Sequence, residues 1–165
     1  CLEFITARLR SYLMSLPEGL RYDVVDGVLA AQSANPARAL AAVRQLSQWV
    51  RRADWNTILP AYSRCVRITR DQTEVYPVEP QRFEDEAERG LYAALQTAKT
   101  APRRPGSVDD LFNAFLPMIP AINRFFEAVM VMAEDPALRA NRLGLLQQIA
   151  ALADGIADLS TLEGF

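Results

Sequence analysis

Apolar residues recur along this chain at three- and four-residue steps, the period of an α-helix, and no stretch shows the sustained alternation that marks a β-strand. The pattern predicts an all-α chain, a helical bundle of about eight helices. Residues 3 to 15 predict a first helix with Leu2, Ile5, Leu9 and Leu13 inward, ended by Pro17-Glu18-Gly19. A second covers about 21 to 33. Asn35-Pro36 couples an N-cap to a proline at the first helical position, where its missing N–H costs nothing, and opens a third helix to Arg52. Asp54 predicts the cap of a fourth, to about 71, with Pro60 as a kink. Residues 71 to 81 are polar with two prolines and predict a loop, a fifth helix follows over 83 to 98, and KTAPRRPG breaks the chain again. Ser107 with Asp110 three positions on makes a variant capping box for a sixth helix. Pro120 begins a seventh, through about Met132, and Asp135-Pro136 starts the eighth.

At 165 residues, half of them hydrophobic, residues 1–165 predict a single domain able to bury a core without disulfides or metals. The run 112 to 133 is apolar enough to raise a membrane span. Two prolines, Arg124 and Glu127 argue for a buried helix pair instead, since a charge at mid-bilayer costs about 2.5–3.5 kcal/mol. No membrane association is expected. A first residue of Cys suggests a piece of something longer, and an isolated cysteine pair without a signal sequence suits a reduced, cytoplasmic protein.

The charge changes the picture more than the composition does. The formal net charge is −2, with 17 arginines, one lysine and no histidine. Seven arginines (38, 44, 51, 52, 64, 67 and 70) stand between residues 38 and 70 against one acid, Asp54, while 71 to 91 carries seven acids against Arg82 and Arg89. On a helical wheel Ile58, Tyr62, Cys65, Val66 and Thr69 share one side of the fourth helix, and Arg64, Arg67 and Arg70 the opposite arc. Arg44 and Arg51, seven apart, share a face of the third. Such rows suit a phosphate backbone, because a guanidinium chelates phosphate oxygens with two parallel hydrogen bonds. They equally suit a solvated face balanced by the acidic stretch that follows.

Catalytic patterns are missing: no glycine-rich nucleotide motif, no nucleophile elbow, no histidine to serve as base or metal ligand. The cluster Glu84-Asp85-Glu86-Glu88 stands at a predicted helix start, where the dipole favours acids. Cys65 lies on an apolar face with nothing to activate it. Trp49, Trp55 and Tyr62 are candidates for base stacking, but core packing is the expectation for each. In the eighth helix, Leu138, Leu145, Ile149, Leu152 and Ile156 form an apolar stripe whose arc includes Arg142, with Arg139 and Asn141 at its edges. Arg142 then reads either as a clamp across helices or as a ligand contact, Arg139 as a surface contact, and Asn141 as a residue that caps, bridges or reaches a base.

These residues also carry a resemblance. PAINRFFEAVMVMAEDPALRANRLGLLQQIAALADGIADLSTL, from Pro120 to Leu162, resembles the C-terminal end of the bacterial glycyl-tRNA synthetase beta subunit, the DALR-type anticodon-binding domain seen also in arginyl-tRNA synthetases. RYDVVDGVLA at 21 to 30, SRCVRI at 63 to 68 and FEDEAERGLYAAL at 83 to 95 are similar as well. The family's fourth-helix pattern is roughly Lys-Arg-Val-x-Asn-Ile; here Arg64 matches, whereas Ser63 replaces the lysine and Arg67 the asparagine. The resemblance implies a non-catalytic domain of a glycine–tRNA ligase that grips the anticodon arm of glycine tRNA, helping hold the acceptor end over the alpha subunit, where ATP, glycine and magnesium are expected. No cofactor, metal or catalytic site is implied in this piece; its implied partners are glycine tRNA, the alpha subunit and the remainder of the beta subunit, in the bacterial cytoplasm. The expected RNA contacts are Arg64, Arg67, Arg70 and Arg139, then Asn141 and Arg142, then Arg44 and Arg51. The competing reading is a helical assembly module in which the apolar pair 112 to 132 docks on a partner and no RNA is touched.

Overall fold

A computed structural model describes every residue, 1 to 165, as helices joined by loops and short 3-10 turns, with no strand. The helices are α1 (Leu2–Met14), α2 (Tyr22–Gln32), α3 (Pro36–Trp49), α4 (Trp55–Thr69), α5 (Glu86–Thr100), α6 (Val108–Phe115), α7 (Ile119–Ala128) and α8 (Pro136–Ala150). Their starts follow local chemistry. The Asn35 side chain accepts the Arg38 N–H at 3.1 Å, Ser107 Oγ accepts that of Asp110 at 3.1 Å, and Asp135 accepts those of Ala137 and Leu138. The acidic cluster heads α5 as a true capping box, Asp85 accepting from Ala87 and Glu88 Oε1 reaching back to the Asp85 N–H. Asp54 differs from expectation, since its carboxylate takes the Arg52 guanidinium and only its carbonyl begins α4.

The chain divides into two compact units. Unit 1 comprises Cys1–Leu59, Pro102–Phe112 and Ala153–Phe165; unit 2 comprises Pro60–Ala101 and Asn113–Leu152. The first boundary falls at Pro60, inside α4, where the ring deletes one backbone hydrogen bond.

In unit 1, α2 packs on both α1 and α3, burying Leu9, Leu13, Val24, Val25, Val28, Val43 and Leu46. The C-terminal segment lies against α2. The Asp158 N–H donates to the Gly27 carbonyl at 2.8 Å, and a Cβ at Gly27 would stand 2.6 Å from Thr161 Oγ1 and 2.8 Å from the Asp158 carbonyl, so only glycine admits this approach. One expectation fails here. Of the predicted inward stripe of α1, Leu9 and Leu13 are buried, but Leu2 and Ile5 are 60% and 50% exposed, because the first turns of α1 run past the core.

In unit 2, α5 packs on α7 and α8 around Leu91, Leu95, Phe115, Met118, Ile122, Phe125, Leu145 and Ile149. The expected seventh helix stops early, at Ala128. Val129 turns extended, and residues 129 to 133 alternate, with Val129, Val131 and Ala133 buried and Met130 and Met132 exposed. Two β-branched valines at alternate positions favour that conformation, and arginines of α8 hold it, as described below. No helix is long and apolar enough to cross a membrane.

Candidate nucleic-acid interface

The apolar side of α4 is packed as its spacing requires, with Ile58, Tyr62, Cys65 and Thr69 buried, Val66 half-buried, and Ser63 also covered. Its opposite side leaves Arg64, Arg67 and Arg70 exposed at three-residue intervals. Neither Arg64 nor Arg70 forms an ion pair. Arg64 instead lies over an aromatic ring, its guanidinium carbon 4.3 Å from the centroid of Phe126 on α7.

Several of the neighbouring acids are engaged away from Arg64 and Arg70. Within 71 to 91, Glu79 pairs with Arg82, Glu86 with Arg89 at 2.6 Å, and Asp85 and Glu88 cap α5. Two of the seven acids are thus matched by arginines of the acidic stretch itself, and Glu88 is matched by Arg142.

The predicted contacts of unit 1 fare differently. Arg44 grips Glu18 through both Nε and Nη2, the shortest contact 2.6 Å, and this hydrogen-bonded partner holds the Glu18 carboxyl below its ordinary range. Its charge is already matched. Arg51 is exposed and makes no ion pair, but neighbouring Arg52 is tied to Asp54 and lies 4.4 Å over the Trp49 ring. The aromatic candidates pack as expected. Trp49 donates its indole N–H to Asp109 at 2.8 Å, and Tyr62 donates its hydroxyl to the Ala150 carbonyl at 2.8 Å.

The α8 residues require a correction. Arg142 is buried; its Nη2 donates to Glu88 at 3.0 Å and its Nη1 to the Met130 carbonyl at 2.7 Å. Asn141 is buried too, accepting the Glu79 N–H at 2.7 Å and donating to the Glu79 carbonyl at 3.1 Å. Neither offers its polar atoms outward, so both leave the set of RNA contacts. Arg139 is half-buried and donates to the Ala133 carbonyl at 3.1 Å.

A function for α8 that the sequence reading missed emerges from these bonds. Its polar side chains replace the hydrogen bonds that two non-helical segments lack. Arg139 and Arg142 serve residues 129 to 133, while Asn141 and Gln147 serve residues 74 to 79, Gln147 accepting the Tyr76 N–H and donating to the Glu74 carbonyl. Gly144 lies between those two amides, and a Cβ there would stand 2.5 Å from the Tyr76 carbonyl oxygen. The available signal was the spacing Asn141-x-x-Gly144-x-x-Gln147, two amides flanking a glycine on one helix face. Phe126 was missed as well. On α7 it stands about 100° round from buried Phe125 but only about 40° from buried Ile122, so its spacing reads as core although the side chain is half-buried. Both cysteines are free, and burial pushes the Cys65 thiol up to about 12, which suits a packed residue.

Fold and site together define an all-α protein with an exposed arginine row on one helix of its second unit. No protein-family model matches the chain. Individual proteins do. It is similar to the glycine–tRNA ligase beta subunit of Myxococcus xanthus, 37% identical over 98% of this chain and 24% of that protein. The beta subunit of an Anaeromyxobacter species is 34% identical over 98% and 23%, and that of Lacticaseibacillus casei 37% over 86% and 20%. The chain therefore spans about a quarter of the length of these relatives, or somewhat less.

Proposed function

We propose that this chain is the tRNA-binding part of a glycine–tRNA ligase beta subunit, a DALR-type anticodon-binding region that positions glycine tRNA for aminoacylation by an alpha subunit. The observation that supports this best is the exposed face of α4, where Arg64 and Arg70 stand without carboxylate partners while eight arginines elsewhere are paired. Similarity over 98% of the chain to proteins named for that ligase supports the identity of the RNA. In this reading Arg64, Arg67 and Arg70 hold sugar-phosphate, Arg139 and Arg51 are outlying contacts, and Asn141 and Arg142 keep α8 in place. ATP, glycine and magnesium belong to the alpha subunit, and the setting is the bacterial cytoplasm.

The test is a fluorescence titration with glycine tRNA across a range of salt, comparing wild type with the double variant Arg64→Ala, Arg67→Ala. Binding through phosphates lowers log affinity by about 0.7–0.9 per phosphate for each log unit of salt, so the variant is expected to bind more weakly with a shallower slope. Unchanged affinity and slope would refute the assignment. Exchange of anticodon bases separates base reading from backbone grip.

A second reading, assembly, has a different carrier from the one the sequence suggested. The helical part of the 112 to 132 pair turns Phe112, Phe115, Met118, Ile119, Ile122 and Phe125 into the core, and only Met130 and Met132 beyond it are exposed. A cluster of uncovered apolar side chains stands on α1, where Leu2, Phe4 and Ile5 are each at least half exposed.

A further inference from the structure

A grip on phosphate needs only charge, yet Arg64 is also built onto a ring. Its guanidinium carbon lies 4.3 Å from the Phe126 centroid, a range in which the cation is drawn to the negative face of the aromatic system. Phe126 is itself set edge-on to Phe125, with centroids 5.5 Å apart and planes at 84°, and Phe125 is fully buried. The core thus fixes one ring, that ring fixes the other, and the second ring fixes the guanidinium. An exposed arginine ordinarily loses rotamer freedom when it binds; attraction to the Phe126 ring biases this one toward a single placement beforehand.

A guanidinium has two kinds of binding surface. Its edge donates hydrogen bonds to phosphate or carboxylate, while its flat face stacks on π-systems, including nucleobases. With its Cζ over Phe126 and its side chain exposed and free of ion pairs, the Arg64 guanidinium has surface to offer a second flat partner. An unpaired base matches that plane in shape and in chemistry, and arginine rows on the same helix supply what a base brings with it: Arg67 and Arg70 follow at about 4.5 and 9 Å along the helix axis.

We propose that Arg64 seated on Phe126 is a stacking platform for one unpaired nucleobase of the bound RNA, with Arg67 and Arg70 holding the adjoining phosphates. The proposal rests on the tRNA-binding reading above and adds to it a specific contact that reads the π-face of a base.

The test uses the full chain and glycine tRNA carrying 2-aminopurine at successive positions of the anticodon loop, titrated over a salt series. Two variants isolate the platform: Arg64→Lys keeps the charge but removes the plane, and Phe126→Leu keeps an apolar side chain but removes the ring. Arg70→Ala serves as the phosphate control, and circular dichroism melts confirm that each variant folds. The expected result is a quench of the probe at one loop position in wild type, lost in both platform variants. Affinity falls on the order of 5- to 100-fold, the range of one stacked base, with the salt slope unchanged. Arg70→Ala is expected to do the reverse, keeping the quench and flattening the slope. If Arg64→Lys binds and quenches like wild type, the platform is wrong and the phosphate grip stands. If wild type shows no salt-dependent binding at all, the tRNA reading fails and the platform falls with it.

Discussion

Arg142 shows how burial decides what a charged residue does. It is 7% exposed, and Glu88, its partner at 3.0 Å, is wholly buried while also closing the cap of α5. A guanidinium placed there contributes through what it satisfies, namely Oε1 of the Glu88 carboxylate and the Met130 carbonyl, while Glu88 Oε2 and its own Nε stay buried without partners. Removing one member of a buried pair strands the other's charge, at a cost of about 3–5 kcal/mol. Arg142→Leu is therefore expected to lower unfolding stability by that amount in urea, with any loss of RNA affinity following the unfolded fraction. A variant as stable as wild type that no longer bound RNA would return Arg142 to the contact set. The sequence showed that this arginine shares the apolar arc of α8. It could not show which alternative applied, because Glu88 lies 54 positions away and its role as partner depends on tertiary packing.

At the scale of elements, the sequence disclosed most of what is local and little of what is bridged. Helix starts were legible because Asn35, Ser107 and Asp135 cap backbone within three residues of themselves. The end of α7 was not, since the course of residues 129 to 133, extended at Val129 and bent at Val131 and Met132, depends on carbonyls being met by Arg139 and Arg142 from another helix. The same holds for the polar stretch 71 to 81, a loop by composition that is in fact pinned along α8 by two amide side chains. That bracing makes Gly144 the tightest point of the element. An alanine methyl would meet the Tyr76 backbone at 2.5 Å, and no rotamer can relieve a contact with backbone. Gly144→Ala is expected to destabilise by about 1–3 kcal/mol, although alanine is the better helix former, and to raise hydrogen exchange at the Tyr76 and Glu79 amides. A stabilised Gly144→Ala protein would mean that the loop does not dock on α8.

Over the whole molecule, paired and unpaired arginines are distributed unequally between the units, and the pattern has a consequence for acid stability. The carboxyls held below their ordinary values are Glu18, Asp23, Asp54 and Asp110, all in unit 1. Hydrogen bonds from Arg44, Arg52 and Arg104 account for exposed Glu18 and Asp54 and for half-buried Asp110. Asp23 is different: burial pushes its carboxyl up, but the Arg21 guanidinium and the N–H groups of Glu163 and Val24 together pull it lower still. A group whose folded value is depressed contributes stability that is complete above its unfolded value, near 3.8 for Asp and 4.5 for Glu, and is lost as pH falls through the folded value. Unit 1 should therefore weaken below about pH 4. Trp49 and Trp55 both lie in unit 1, so indole fluorescence reports on this unit alone. Asp23→Asn is expected to cost about 1.5–3 kcal/mol near neutral pH, as loss of hydrogen bonds to a charged group does, and to make the acid decline shallower. Asp54→Asn, at a surface pair, should change little. Equal acid slopes for wild type and Asp23→Asn would place the acid-sensitive step elsewhere than at this buried carboxylate.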